Sequence, residues 1–308
     1  MPTKTALSPL RYPGGKGSLF KFIAEIILRN DRFGGSYYEP FAGGAGCALR
    51  LLGQGVVGEI VLNDADPSIF SFWTAVINET DRFIEKIYAT PLSMNSWTTQ
   101  REIWTTNSDR ASFDVGFATF FLNRCNRSGI INKAGPIGGA KQSGKWKLDA
   151  RFNHKTLEDR IRFIGLNKER IKIFNIDALD FMKIHFSSRK NRSKFVYLDP
   201  PYYRSGNRLY FNTFDDKKHF DLAQYIQKQV KLKWLVTYDD NNFIRGLYSK
   251  LRSYHYSLSY SLQKKKKAKE LIVVPDNMDM PREFIFNSKK VTSGLTATRN
   301  SEYDPSRY

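Results

Sequence analysis

The stretch FVYLDPPYYR, residues 195–204, places a carboxylate, two prolines and two tyrosines at the end of an apolar run. Phe195 to Leu198 suit a short buried strand. Pro200 and Pro201 have no N–H to give a ladder, so the strand must stop at Asp199. Two fixed φ angles also hold Asp199 and Tyr202 in a nearly rigid relation. An acid beside an aromatic ring suits a flat ligand with a polar edge. The same four residues also suit a stiff strand-to-loop turn, and alone they do not separate the two readings.

A second acid, Asp64, ends the strand-like GEIVLND, about 20 residues after the glycine-rich FAGGAG, where a carboxylate can bind both hydroxyls of a ribose. Asp64 and Asp66 both precede a helix opening at Pro67, and Asp66 is the better N-cap, which leaves Asp64 for the sugar. The glycines let backbone approach a ligand, and the helix behind them offers unpaired N–H groups. Neither this turn nor RYPGGKGS satisfies the Walker A pattern. The spacing of Gly43, Gly44 and Gly46 also differs from G-x-G-x-x-G.

The elements that must carry these residues follow a βαβ pattern. SYYEPF reads as a strand, CALRLL as the start of a helix and GEIVLND as a strand. PSIFSFWTAVINETDRFIEKIY reads as one long helix. Such alternation implies parallel strands with right-handed crossovers. It lapses over about residues 86–168, where FATFFLNRCNRSG reads as a helix ending near Ser128–Gly129 and a glycine-rich basic stretch follows. From residue 169 the pattern resumes: RIKIFN, KFVYLD and KWLVTYDD as strands, with DALDFMKIHF, KKHFDLAQYIQKQV and NNFIRGLYSKL as helices. YHYSLSYSL, ELIVV and EFIFN follow without helices, so the sheet is expected to finish antiparallel. The polar tail from residue 288 is expected to be mobile unless a partner orders it.

The 308 residues carry 49 Lys/Arg against 30 Asp/Glu, a formal charge of +19, and so attract polyanions, nucleic acid first. No apolar run is long enough to span a membrane and no signal segment is read. Cys47 and Cys125 offer no disulfide framework and suit a reducing cytoplasm. The four histidines are scattered, so no metal site is expected.

RYPGGK, EPFAGGAG, LNDAD and DPPY, in that order over about residues 8–286, resemble the Dam-type, alpha-class adenine-specific DNA N6-methyltransferases. The resemblance implies a Rossmann-like α/β methyltransferase sheet that binds S-adenosyl-L-methionine and acts on double-stranded DNA, with a mostly helical target-recognition insertion. It divides the chain into a cofactor half (1–85), the insertion (86–168), a catalytic half (169–287) and the tail (288–308). Carried over by motif, Tyr12, Lys16, Phe41, Gly43, Gly44, Gly46, Asp64 and Asp177 face the cofactor, with Asp177 equally suited to cap a helix. Asp199 counts on both the cofactor and the catalytic side. Asp199 and the Pro200 carbonyl would accept the two N–H groups of the target amine, and Tyr202 would stack on the extruded base. Tyr203 either continues that wall or packs into the core. Many members read F-x-G-x-G where this chain has Ala45, which puts the turn's detailed geometry in question.

Arg124 and Arg127 of the insertion, and Lys264 and Lys265 of the run QKKKKAKE, are expected to meet DNA. The lysine run equally suits a charged hairpin that protects a sheet edge. The expected setting is a monomer in a prokaryotic or phage-infected cytoplasm, with a cognate restriction endonuclease or other defence component as a possible partner. Two rivals stand beside this reading: an RNA or protein methyltransferase, and a DNA-binding adaptor that kept the fold without catalysis.

Overall fold

The computed structural model describes residues 7–11, 16–107, 109, 111–187, 191–203, 214–259, 267–281, 283–286 and 289–292. After a short 3-10 turn (Lys16–Leu19), helix α1 (Phe20–Arg29) buries Phe22, Ile23, Ile26 and Ile27, a spacing that puts them on one helix face. Strand β1 (Ser36–Glu39), helix α2 (Gly46–Gly53) and strand β2 (Glu59–Asn63) form the first βαβ unit. Two helices follow, α3 (Pro67–Asn78) and α4 (Thr80–Ala89). The single long helix expected here is broken at Glu79, whose φ/ψ of −131°/44° is not helical.

Helices α5 (Met94–Thr106), α6 (Phe113–Cys125) and α7 (His154–Leu166) occupy the stretch expected as the insertion. The chain then returns through β3 (Ile171–Phe174), α8 (Ala178–Phe186) and β4 (Lys194–Leu198). Helix α9 (Asp216–Gln227), β5 (Lys233–Asp239), α10 (Asn242–Leu247), β6 (Arg252–Ser259) and β7 (Lys267–Val274) complete the main body.

Seven strands form one sheet in the order β3-β2-β1-β4-β5-β7-β6. β1 to β5 run parallel, and β7 is antiparallel to both β5 and β6, as the loss of intervening helices implied. The strand order reverses between β1 and β4: the chain leaves β1 toward β2 and β3, then crosses to β4 on the other side. A crevice opens beyond the carboxyl ends at such a reversal, and ligands bind there.

Strand residues alternate between two cores, as a pleat with both faces covered requires. Tyr37, Phe195, Tyr197 and Leu235 join the core under α1, α2 and α3. Tyr38, Val196, Leu198, Trp234 and Val236 join the core under α8, α9 and α10. The insertion belongs to the first of these cores. Phe120 of α6 stacks on Phe72 of α3 with ring centroids 6.2 Å apart. A Cβ at Gly116 would lie 2.5 Å from the Ser71 carbonyl oxygen, so glycine there permits the close helix approach.

EFIFN does not extend the main sheet. Strand β8 (Glu283–Phe286) pairs antiparallel with β9 (Lys289–Thr292) in a separate two-stranded sheet. The segment expected to be mobile thus begins with a paired strand, and its remainder lies outside the described residues.

Candidate active site

The glycine turn joins β1 to α2 through two left-handed residues, Gly43 (φ +46°) and Ala45 (φ +45°). Ala45 therefore takes the conformation that a glycine would adopt without steric cost. The turn is anchored from below by the Trp73 indole N–H, which donates to the Gly43 carbonyl at 3.0 Å. From the side, the Gly43 N–H donates to Asp64 Oδ2 at 2.7 Å. The other Asp64 oxygen accepts the Asp66 N–H at 2.9 Å. Asp66 caps α3 through the Ser68 N–H, as expected. Asp64 is thus not idle but clamped by main chain, with lone pairs left over for a ligand. Burial, then the charge of Asp66, pushes its pKa up to about 7 against the pull of the two N–H groups.

Across the reversal, Asp199 leaves the end of β4 with its orientation set by side chains. Thr237 on β5 donates its hydroxyl to Asp199 Oδ1 at 2.9 Å, and Thr237 in turn meets the Tyr197 hydroxyl at 2.9 Å. Lys16 Nζ lies 3.1 Å from the same Oδ1 and 3.7 Å from Glu270 Oε2 on β7, with both Lys16 and Glu270 buried. Among the described residues Oδ2 carries no bond. Lys16 also donates to the Tyr202 hydroxyl at 2.5 Å, which puts its ammonium at the hydroxyl end of the ring, 4.7 Å from the centroid. Tyr203 packs rather than continuing the wall: its ring stacks on Phe243 at 4.9 Å, and its N–H donates to Asp239 at 3.0 Å.

Glu39, the last residue of β1, is buried beside these groups and accepts the Tyr37 hydroxyl at 3.0 Å. Loss of hydration pushes its pKa up to about 8; the Tyr37 bond opposes this and the charge of Asp199 adds to it.

The structure brings Lys16, Asp199 and Tyr202 into direct contact, and Gly43 and Asp64 into another group on the same sheet edge. Gly44 is buried in the turn, Gly46 starts α2 beside Gly17, and the half-buried Phe41 ring meets Phe214 edge-on at 5.5 Å. Asp177 takes the capping role: it accepts the Leu179 N–H at 2.8 Å and stands exposed, with Lys218 3.9 Å away. Tyr12, Lys264 and Lys265 lie outside the described residues.

Arg124, expected to meet DNA, is buried (9% exposed) and turns inward to the Arg151 carbonyl and, at 3.5 Å, the Pro9 carbonyl. The reason is position: α6 is buried on all sides, so its last turn faces protein rather than solvent. Arg127, just past the helix, is exposed.

Sequence reasoning missed Thr237, Glu270, Glu39 and Asn63. The buried Asn63 amide donates to the Pro40 and Ile176 carbonyls and so ties together the loops after β1 and β3. Thr237, polar inside the apolar KWLVTYD, carried a signal; Glu39 and Asn63 end their strands and Glu270 follows a Lys-Ala-Lys run, so they carried none.

A family model described as D12 class N6 adenine-specific DNA methyltransferase matches residues 12–266. A DNA adenine methylase of Haemophilus influenzae is 24% identical over 300 residues, covering 89% of this chain and 97% of the relative. The type II methyltransferase M.CviBI of Paramecium bursaria Chlorella virus NC1A is 24% identical over 267 residues, covering 82% of this chain and 90% of the relative. Among solved structures, the rRNA methyltransferase aviRa of Streptomyces viridochromogenes overlays with a TM-score of 0.34 and 12% identity over 88% of this chain and 91% of that one, too distant to add to the argument. With most of its length matched by one family model, and with that family's acid, prolines and tyrosine gathered at the sheet reversal, the chain belongs to the D12 class N6 adenine-specific DNA methyltransferases.

Proposed function

We propose that this chain transfers a methyl group from S-adenosyl-L-methionine to N6 of an adenine extruded from double-stranded DNA, with Asp199, the Pro200 carbonyl and Tyr202 as the catalytic set. The observation that carries the reading is Asp199: one oxygen is fixed by Thr237 and Lys16, and the other carries no bond among the described residues.

The residues present fit the cofactor. A carboxylate clamped at the end of β2 suits vicinal hydroxyls, and a main-chain turn with two left-handed residues lets a ligand approach backbone closely. When bound, S-adenosyl-L-methionine supplies a methyl group already activated by its sulfonium. Tyr12, Lys16, Phe41, the Gly43–Gly46 turn, Asp64 and Asp177 would line its site, and Asp199 would serve both the cofactor and the target amine.

The chain's own residues then have to make a poor nucleophile attack. The lone pair of adenine N6 is delocalised into the ring. Accepting one N–H at Asp199 Oδ2 and the other at the Pro200 carbonyl orients the nitrogen and favours a more tetrahedral form. After transfer N6 holds one proton too many, and Oδ2 is the nearest base. Positioning and preorganised charge are enough for an in-line transfer without a covalent enzyme intermediate. Lys16 holds the Asp199 charge and fixes, through its hydroxyl, the Tyr202 ring on which the base would stack. DNA is approached from the insertion, where Arg127 is exposed; Lys264 and Lys265 would add phosphate contacts, the reading their run shares with a charged hairpin.

The test is transfer of radiolabel from the cofactor to duplex DNA, recovered as N6-methyladenine. Asp199→Ala is expected to lower the rate by 10³-fold or more while DNA binding is largely retained. Normal methylation by this variant would sink the catalytic assignment. Label recovered from tRNA or rRNA in preference to DNA would replace the substrate.

A further inference from the structure

Four arginines meet where the N-terminal segment crosses the insertion, and none has an acidic partner among the described residues. Arg11 donates to the carbonyls of Arg124 and Asn126 at 3.3 and 3.0 Å. Arg124 turns toward the carbonyls of Pro9 and Arg151, and Arg160 of α7 donates to the Ser8 carbonyl at 3.0 Å. The segment itself is stitched down by Asn123, which accepts the Arg11 N–H at 2.7 Å and donates back to the Arg11 carbonyl at 2.8 Å. The guanidiniums of Arg11, Arg124 and Arg160 are therefore held by backbone carbonyls rather than by salt bridges, and the charge of Arg151 lies near enough to act on Arg11 and Arg124.

Among the described residues, no carboxylate pairs with any of them. Asp149, whose charge reaches Cys125 beside Arg124 and Arg11, is among the acids that make no such pair, and on α7 Glu158 pairs with Arg162 at 2.8 Å and Asp159 with Lys155 at 2.6 Å. The Nε atoms of Arg124 and Arg160 are buried and bonded to nothing. Burial and mutual repulsion act on the group, lowering the Arg124 pKa to about 9. Like charges withdrawn from water and left unpaired are costly, so a counter-anion is the missing element. Exposure grades from the buried Arg124, through the half-buried Arg11 and Arg160, to the exposed Arg151, which leaves the cluster an opening to solvent.

We propose that Arg11, Arg124, Arg151 and Arg160 form a phosphate oxyanion site at the seam between the N-terminal segment and the insertion, and that a phosphodiester of the DNA substrate occupies it. Guanidinium forks match phosphate oxygens in geometry and charge. The N-terminal segment runs from Arg11 to Lys16 in five residues, so an anchored phosphate would couple to the segment that carries the lysine on Asp199. The DNA half of the proposal rests on the function proposed above; the oxyanion half does not.

Arg151→Gln and Arg160→Gln test it in the full chain, each with cofactor affinity measured by calorimetry as a check of folding. Inorganic phosphate is expected to raise the wild-type melting temperature by several degrees over chloride at equal ionic strength. That difference should at least halve in each variant. The slope of log affinity for duplex DNA against log salt should become shallower by about 1 per lost contact. Both changes together support a DNA phosphate at the site. A change in the phosphate response alone keeps the oxyanion site and removes DNA as its ligand. Melting temperatures that fall equally in both salts, with an unchanged slope, would mean that the arginines only stitch carbonyls, and would overturn the site. If the wild-type protein fails to methylate adenine yet both arms hold, the proposed function falls and the site stands.

Discussion

The two acids that flank the sheet reversal are held by opposite means. Asp64, beyond β2, is clamped by two main-chain N–H groups, from Gly43 and Asp66. Asp199, beyond β4, is held by a threonine hydroxyl and a lysine ammonium, which are in turn held by Tyr197 and Glu270. Main chain cannot be mutated away and does not change rotamer, which suits a group that grips an unreacting sugar. A side-chain network can shift charge and position as a base enters, which suits a group that meets the reacting atom. The division also predicts different failures when each side is damaged.

Asp64→Asn is the strongest way to sharpen that contrast beyond the Asp199 test. It keeps the shape and removes the charge that would take the ribose hydroxyls. The expected result is a KM for the cofactor raised 10- to 100-fold with kcat nearly unchanged, the signature of lost uniform binding. A loss confined to kcat would put Asp64 on the catalytic side and break the comparison. The pH dependence carries the same information. With a pKa near 7 in the cofactor-free protein, Asp64 is protonated below neutrality and a weaker acceptor. Cofactor affinity should therefore fall as pH drops through 7 in the wild type, and that dependence should flatten in Asp64→Asn.

Thr237→Val probes the other side. It removes the hydroxyl between Tyr197 and Asp199 while keeping the branch that fills the strand. We expect kcat about tenfold lower with cofactor KM unchanged, and a stability loss of about 1–3 kcal/mol from the stranded Tyr197 hydroxyl. An unchanged kcat would show that Lys16 alone positions the acid.

Glu39 lies beneath both sides, and its ionisation is felt as stability. Its folded pKa of about 8 lies above the ordinary 4.5, so the native state keeps a proton that the unfolded chain has lost. Its contribution is therefore full below pH 4.5 and declines as pH rises toward 8. Urea unfolding at pH 5 and pH 8 should show a smaller loss over that interval for Glu39→Gln than for wild type. Identical losses would mean that Glu39 is already ionised in the fold.

The main-chain half of this arrangement was the more legible in the sequence. Glycines, prolines and an acid at a strand end act locally, so FAGGAG, LNDAD and DPPY could be placed on turns and strand edges without knowing what packs around them. Asp66 as the cap and Tyr203 as packing were open to the same reasoning. The side-chain half was not legible, because Thr237 and Glu270 reach Asp199 and Lys16 only through the register of β5 with β4 and of β7 with β5. The burial of Arg124 was hidden for a related reason. A basic residue in a basic stretch looks exposed until α6 is known to be buried all round. The break at Glu79 also lacked a sequence mark, since neither proline nor glycine interrupts the helix there.

Ala45 offers the smallest and most local test of main-chain control. Its φ of +45° and ψ of 36° belong to the left-handed region, where a Cβ costs about 1–2 kcal/mol. The helix behind it starts one residue later, at Gly46, and a Cβ added there would meet Gly17 only at the ordinary distance of 3.7 Å. The steric demand for glycine thus falls on position 45, which alanine occupies. Ala45→Gly removes the strain but loosens the unfolded chain by about 0.5–1 kcal/mol. The net expectation is a gain of up to about 1 kcal/mol, a rise of a few degrees in melting temperature for a chain of this size. Cofactor affinity should stay within about twofold, because the turn already has the backbone that glycine would adopt. A marked gain in affinity would instead mean that the Ala45 methyl intrudes on the ligand, and the turn's contribution would then be steric as well as main-chain.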